Sequence, residues 1–156
     1  MKFVITFLVF LGLFVNLNSA YAASSGNDAG SSFYKSGKKL VIKAKKLEEK
    51  EKDEKAKKLY LRALSKLEKA YEEDKKNADI LNYLGYALRK TGDFEKAEKF
   101  YLKGLELDAG HLGINEYLGE LYVQTGRIEL AKGRLQVLNG CNCEEYKELK
   151  ELIEKN

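Results

Sequence analysis

The sequence contains no proline, no tryptophan, one methionine and one histidine, His111, and it has only two cysteines, Cys141 and Cys143. Without proline, no helix is broken by a ring clash or a missing amide donor. Two cysteines cannot staple a scaffold that lacks a core of its own, so stability must come from packing. Together with His111 they fall short of a closed zinc site, and no metal or other cofactor is expected. No glycine-rich phosphate loop and no serine–histidine–aspartate arrangement is present, which argues against an enzyme. Nor does any stretch concentrate Lys and Arg between aromatics: 28 basic residues are interleaved with 24 acidic ones, for a formal net charge of +4. Such mixing marks solvated helix faces and argues against a nucleic-acid partner.

Long apolar runs are equally scarce. The run from Phe3 to Val15 follows Met1-Lys2 and precedes Ala20-Tyr21-Ala22. It is shorter than the roughly 20 residues of a membrane span. One positive charge, a short apolar core and an Ala-x-Ala ending describe a secretory signal peptide, residues 1–22, cut after Ala22. An uncleaved N-terminal anchor is the alternative. The mature chain then has no membrane span and lies in an oxidising compartment. The short leader and the lack of any Asn-x-Ser/Thr triplet make a bacterial periplasm the expected location. Residues 23–36, ASSGNDAGSSFYKS, are rich in serine and glycine and read as a flexible linker, with Phe33 and Tyr34 packing onto the first helix.

What the sequence has in quantity is helix-forming residues. Between Lys38 and Asp74 there is no glycine, and Lys, Glu, Ala and Leu dominate. Leu40, Val41, Ala44 and Leu47 build one apolar stripe, and a second runs through Ala56, Leu59, Tyr60, Ala63, Leu64, Leu67, Ala70 and Tyr71. The apolar-poor stretch between them places a turn near Glu51 to Asp53. Residues 37–77 therefore form a first helix pair.

From Ala78 the chain repeats itself. A shift of 34 residues takes Tyr83-Leu84-Gly85 onto Tyr117-Leu118-Gly119, Thr91-Gly92 onto Thr125-Gly126, and Ala97 onto Ala131. Asn77 is placed to cap a helix from Ala78 to about Lys90, Gly92 to end it, and Asp93 to cap its partner. The short loop makes the two helices antiparallel neighbours. The spacing Leu84-Gly85, Leu88, Gly92, Phe94, Ala97, Tyr101, echoed by Leu118-Gly119, Tyr122, Gly126, Ile128, Ala131, Leu135, resembles the tetratricopeptide repeat. Within the first pair, Ala56-x3-Tyr60-x2-Ala63 and Ala63-x3-Leu67-x2-Ala70 both fit the second helix of that repeat, so two registers stay open.

The resemblance implies an all-α, right-handed solenoid: the first pair, repeats over 78–111 and 112–140, and a capping helix over 141–156. It also implies a concave groove that takes a segment of another protein. By position in the repeat, that groove is lined by Asp79, Asn82, Tyr86, Arg89 and Lys90, then Glu116, Glu120, Val123 and Gln124. The set does not match the lysine and asparagine pattern with which some family members clamp a terminal carboxylate. In the last segment Asn142 and Glu145 suggest a capping box, and Tyr146, Leu149, Leu152 and Ile153 an apolar face. Cys141 and Cys143 admit a disulfide, a pair of packed thiols, or a thiol-redox or metal-handling site. The expected function is an exported adaptor or scaffold, with the thiol reading and a purely structural or oligomerising role as alternatives.

Overall fold

A computed structural model describes residues 26–156. The expected signal peptide, and residues 23–25, lie outside them. The described residues form seven α-helices: α1 (Gly26–Glu48), α2 (Asp53–Glu73), α3 (Ala78–Thr91), α4 (Phe94–Leu107), α5 (Leu112–Gln124), α6 (Ile128–Val137) and α7 (Glu144–Glu154). They pair in chain order as α1–α2, α3–α4 and α5–α6, and α7 packs on α5 and α6. None of these helices is long and apolar enough to cross a membrane.

The middle hairpin shows how the local sequence sets the geometry. The Asn77 side chain accepts the Ile80 N–H at 3.2 Å and starts α3. Gly92, at φ 96, ends it in the left-handed conformation that glycine adopts without a Cβ penalty. Asp93 then accepts the Lys96 N–H at 3.2 Å and starts α4. The two helices close because position 85 has no side chain, since a Cβ there would lie 2.5 Å from the Tyr101 ring. Leu81, Leu84, Ala97 and Tyr101 are all buried at that contact.

The first pair resolves its two registers by containing both. α2 has 21 residues where α4 has 14, about two turns more. Ala56, Tyr60, Ala63, Leu67 and Ala70 are all at most 1% exposed, so each pattern is buried at its own level of one longer helix. Near the turn, Glu51 takes the positive φ that Gly92 takes in the next hairpin. At the other end, Asp74 and Asn77 match Asp108 and His111, each pair holding the next link by side-chain to backbone hydrogen bonds.

The expected linker is corrected in part, because α1 begins at Gly26 and runs through it. Phe33 and Tyr34 pack against the first core cluster, and Tyr34 meets Tyr83 edge-on at 5.9 Å. Tyr34, Gly37, Val41 and Ala44 extend the apolar stripe upstream. Burial of that stripe outweighs the weak helix preference of the serines and glycines.

The expected capping box is absent. Asn142 sits at φ 49, and the residue preceding α7 is Cys143, which makes no side-chain cap. Cys141 and Cys143 are joined as a disulfide across Asn142, with Cα atoms 5.2 Å apart, and neither is a free thiol. Leu149 is fully buried against Gly119 of α5, while Leu152 and Ile153 lean on the second core cluster.

Candidate partner-binding groove

The first helices of the three pairs, α1, α3 and α5, lie side by side and form one inner surface, which α7 continues. Its residues divide into a filled half and an open half.

The filled half is built on tyrosine. Tyr86 is 4% exposed, with its ring centroid 4.6 Å from Tyr117 and 5.9 Å from Tyr60. Burial holds the hydroxyls of Tyr60, Tyr86, Tyr101 and Tyr117 well above their usual range, so all remain neutral. Two cations are set into this aromatic wall. Lys45 of α1 lies 5.4 Å from the Tyr86 centroid and donates to the Tyr117 hydroxyl at 3.4 Å. The Arg89 guanidinium lies 5.2 Å from the Tyr86 centroid and pairs with Glu120. Burial alone would lower Arg89, but Tyr101, Glu120 and Tyr86 around it hold it charged. Lys90 is tied back to α1 by Glu48 at 2.9 Å, and the same carboxylate accepts the Tyr60 hydroxyl at 2.9 Å.

Glu116 lies at the α5 and α7 side of this half and is 3% exposed. Its carboxyl is pushed up to about 9, mainly by burial, then by a hydrogen bond to Glu148 and the charge of Glu120. Oxygens of Glu116, Glu120 and Glu148 lie within 4.8 Å of one another, the carboxylate cluster among the described residues compact enough to share a cation. Arg89 already supplies positive charge there, through Glu120. Farther along α5, Val123 is buried and Gln124 is exposed at the helix's end.

The open half is a cleft of about 420 Å³ at the other end of the same helices, lined chiefly by Asp79, Asn82, Tyr83, Asp108, Tyr117 and Glu145. His111 stands at its edge. Its Nδ1 accepts the Ile114 N–H at 3.2 Å, which leaves the proton on Nε2, 3.4 Å from Asp79. Asn82 is 6% exposed, and its Oδ1 has no hydrogen-bond partner. A buried amide oxygen left unpaired costs about 1–3 kcal/mol and favours an incoming donor.

Of the residues taken from the repeat pattern, Asp79 and Asn82 line the open cleft, whereas Tyr86, Arg89, Glu116 and Val123 are buried in the filled half. Lys90 and Glu120 are half-buried in ion pairs. The pattern omitted Tyr83, Asp108, Tyr117 and Glu145. The tyrosines were visible in the sequence, since they recur at the repeat distance, but Glu145 reaches the cleft only through the seating of α7. His111 and the two cysteines do not form a shared ligand set, because His111 caps α5 and the sulfurs are bonded to each other.

Comparison with known proteins agrees with this architecture. A tetratricopeptide-repeat family model matches residues 47–109. The fold is similar to the Arabidopsis OM64 TPR domain, at 15% identity and TM-score 0.52, covering 79% of this chain and 98% of that one. It is similar to the second TPR domain of human RPAP3, solved in complex with an HSP70 peptide, at 20% identity and TM-score 0.53, covering 81% and 99%. It is also similar to a tetratricopeptide repeat protein from Parabacteroides merdae, at 18% identity and TM-score 0.55, covering 78% of this chain and 60% of that one. No curated protein matches the chain in sequence. The repeat spacing, the buried leucine, alanine and tyrosine positions of the hairpins, and these matches identify residues 47–109 as tetratricopeptide repeat and give the described residues the fold of a tetratricopeptide-repeat solenoid.

Proposed function

We propose that this protein is an exported adaptor that holds an extended segment of another protein in the open half of its inner surface. The observation that carries the reading is the cleft between α3 and α5, lined by Tyr83, Tyr117 and Asn82, whose buried amide oxygen has no hydrogen-bond partner. A passing peptide backbone supplies the missing donor, and Tyr83 and Tyr117 supply rigid walls. The RPAP3 domain, of the same fold, is in complex with a peptide. The filled half serves as a buttress, since Tyr86 and Arg89 are already engaged, Tyr86 with Tyr117 and Lys45 and Arg89 with Glu120. The export half of the reading stands on the sequence of residues 1–22, and an envelope location follows from it.

A photocrosslinking residue placed at Tyr83 in the native host tests the binding half, with a second at Leu102, on α4 and 44% exposed, as reference. Adducts from position 83 and none from 102 are expected. The reverse pattern moves the interface off the inner surface. N-terminal sequencing of the mature protein tests export, with Ala23 expected as the first residue and Met1 as the overturning result.

A further inference from the structure

Resting on that reading, we infer that the segment bound in the open cleft is cationic, presenting a lysine or arginine side chain between Asp79, Asp108 and Glu145. The chain as a whole is basic, with a net charge of +4, yet this cleft runs against that balance. Asp79, Asp108 and Glu145 line it, and none of the three pairs with a lysine or arginine among the described residues. Their neighbours are local: Asp79 faces the His111 Nε2 at 3.4 Å, and Asp108 accepts the Gly110 N–H at 3.1 Å. By contrast, the carboxylates of the filled half, Glu48 and Glu120, each have a cation of their own.

The second observation is independent of charge. Asn82, buried to 6% exposure in the lining, offers an oxygen without a donor. Its unmet requirement is therefore for an N–H, which an ammonium, a guanidinium or a peptide backbone brings and a carboxylate does not. The walls fit the same chemistry, because cations stack on tyrosine faces. This protein already uses that contact, with Lys38 of α1 lying 5.4 Å from the Tyr83 centroid and Lys45 5.5 Å from the Tyr117 centroid. Lys38 and Lys45 back the two tyrosine walls, and these two ammonium groups remain outnumbered by the three carboxylates. The peptide in the RPAP3 complex, SGPTIEEVD, ends in acidic residues. The charge expected here is opposite.

The test titrates the full chain, followed by amide NMR, with three end-capped glycine–serine peptides that differ at a central pair of residues: Lys-Arg, Glu-Glu or norleucine-norleucine. The expected result is binding of the Lys-Arg peptide, with shifts at Asn82, Tyr83 and Gly113. Changing Asp79→Asn and Glu145→Gln together should weaken that binding about five- to tenfold, in line with two partly exposed charge contacts. Raising the salt to about 0.15 M, where the Debye length is about 8 Å, should weaken it in the unmodified chain as well. Equal or tighter binding of the Glu-Glu or norleucine peptide at the same amides overturns the charge assignment and leaves the groove reading intact. Absence of Lys-Arg binding, or shifts confined to the outer faces of α2 and α4, overturns the inference. In that case the groove reading is decided separately, by the adducts at position 83.

Discussion

Replacing Glu116 by glutamine should stabilise the protein at neutral pH and do nothing at acid pH. Glu116 holds its proton up to about pH 9 in the folded state, against 4.5 for an ordinary glutamate. Between those values the native state binds a proton that the unfolded chain has released, so stability falls as pH rises through this window and levels off above it. Each pH unit is worth about 1.4 kcal/mol, which bounds the loss by neutral pH at about 3 kcal/mol. Glu148, the hydrogen-bonding neighbour, is exposed on α7, and water on that side reduces the figure to about 1–2 kcal/mol. Glutamine keeps the shape and the donor of the protonated acid and has no proton to lose. Urea unfolding followed by circular dichroism, at mildly acid and at neutral pH, measures the effect for both proteins. The two should coincide in acid, with Glu116→Gln the more stable by about 1–2 kcal/mol at neutral pH. Parallel curves with the same slope against pH would refute the argument, because the difference between the proteins isolates this one group.

Two further changes probe the cap. Gly119→Leu should cost about 1–3 kcal/mol, since even a Cβ there would lie 2.5 Å from Leu149 of α7. Combined with Leu149→Ala, it should cost less than the two changes added separately, and strict additivity in a urea double-mutant cycle would remove the contact from consideration. Changing both Cys141 and Cys143 to serine should lower stability by no more than about 2 kcal/mol, because the loop closed by this disulfide is as short as loops come. Thermal melts check it, and a collapse of the whole fold would show that the disulfide holds more than the start of α7.

The fold was largely legible because its determinants are local and repeated. Leu84, Gly85, Ala97 and Tyr101 must be buried together for a hairpin to close, and Asn77, Gly92 and Asp93 mark its ends without reference to the rest of the chain. The first pair could not be placed in one register, and the reason is physical: Ala56, Ala63 and Ala70 repeat at a spacing that matches the extra length of α2, so both alignments bury the same kind of face. The inner surface was harder to read. Tyr86 and Arg89 occupy positions that face a groove in the repeat, but α1 brings Lys45 and Glu48 over them, a contact between residues far apart in sequence. The burial of Glu116 was hidden for the same reason, since it depends on where α7 comes to rest. Serine and glycine in residues 23–36 suggested a linker, and only the docking of Phe33 and Tyr34 makes a helix of it.

A stack of repeats ordinarily behaves as a one-dimensional chain, in which each unit feels only its neighbours and the ends fray first. Lys45 departs from that scheme. From α1 it reaches past α3 to the hydroxyl of Tyr117 on α5, 72 residues away, and so joins the first pair to the third. Opening either end of the stack therefore strips a cation from an aromatic wall shared by all three pairs. The consequence is coupling beyond nearest neighbours: loosening the first pair also disturbs the third.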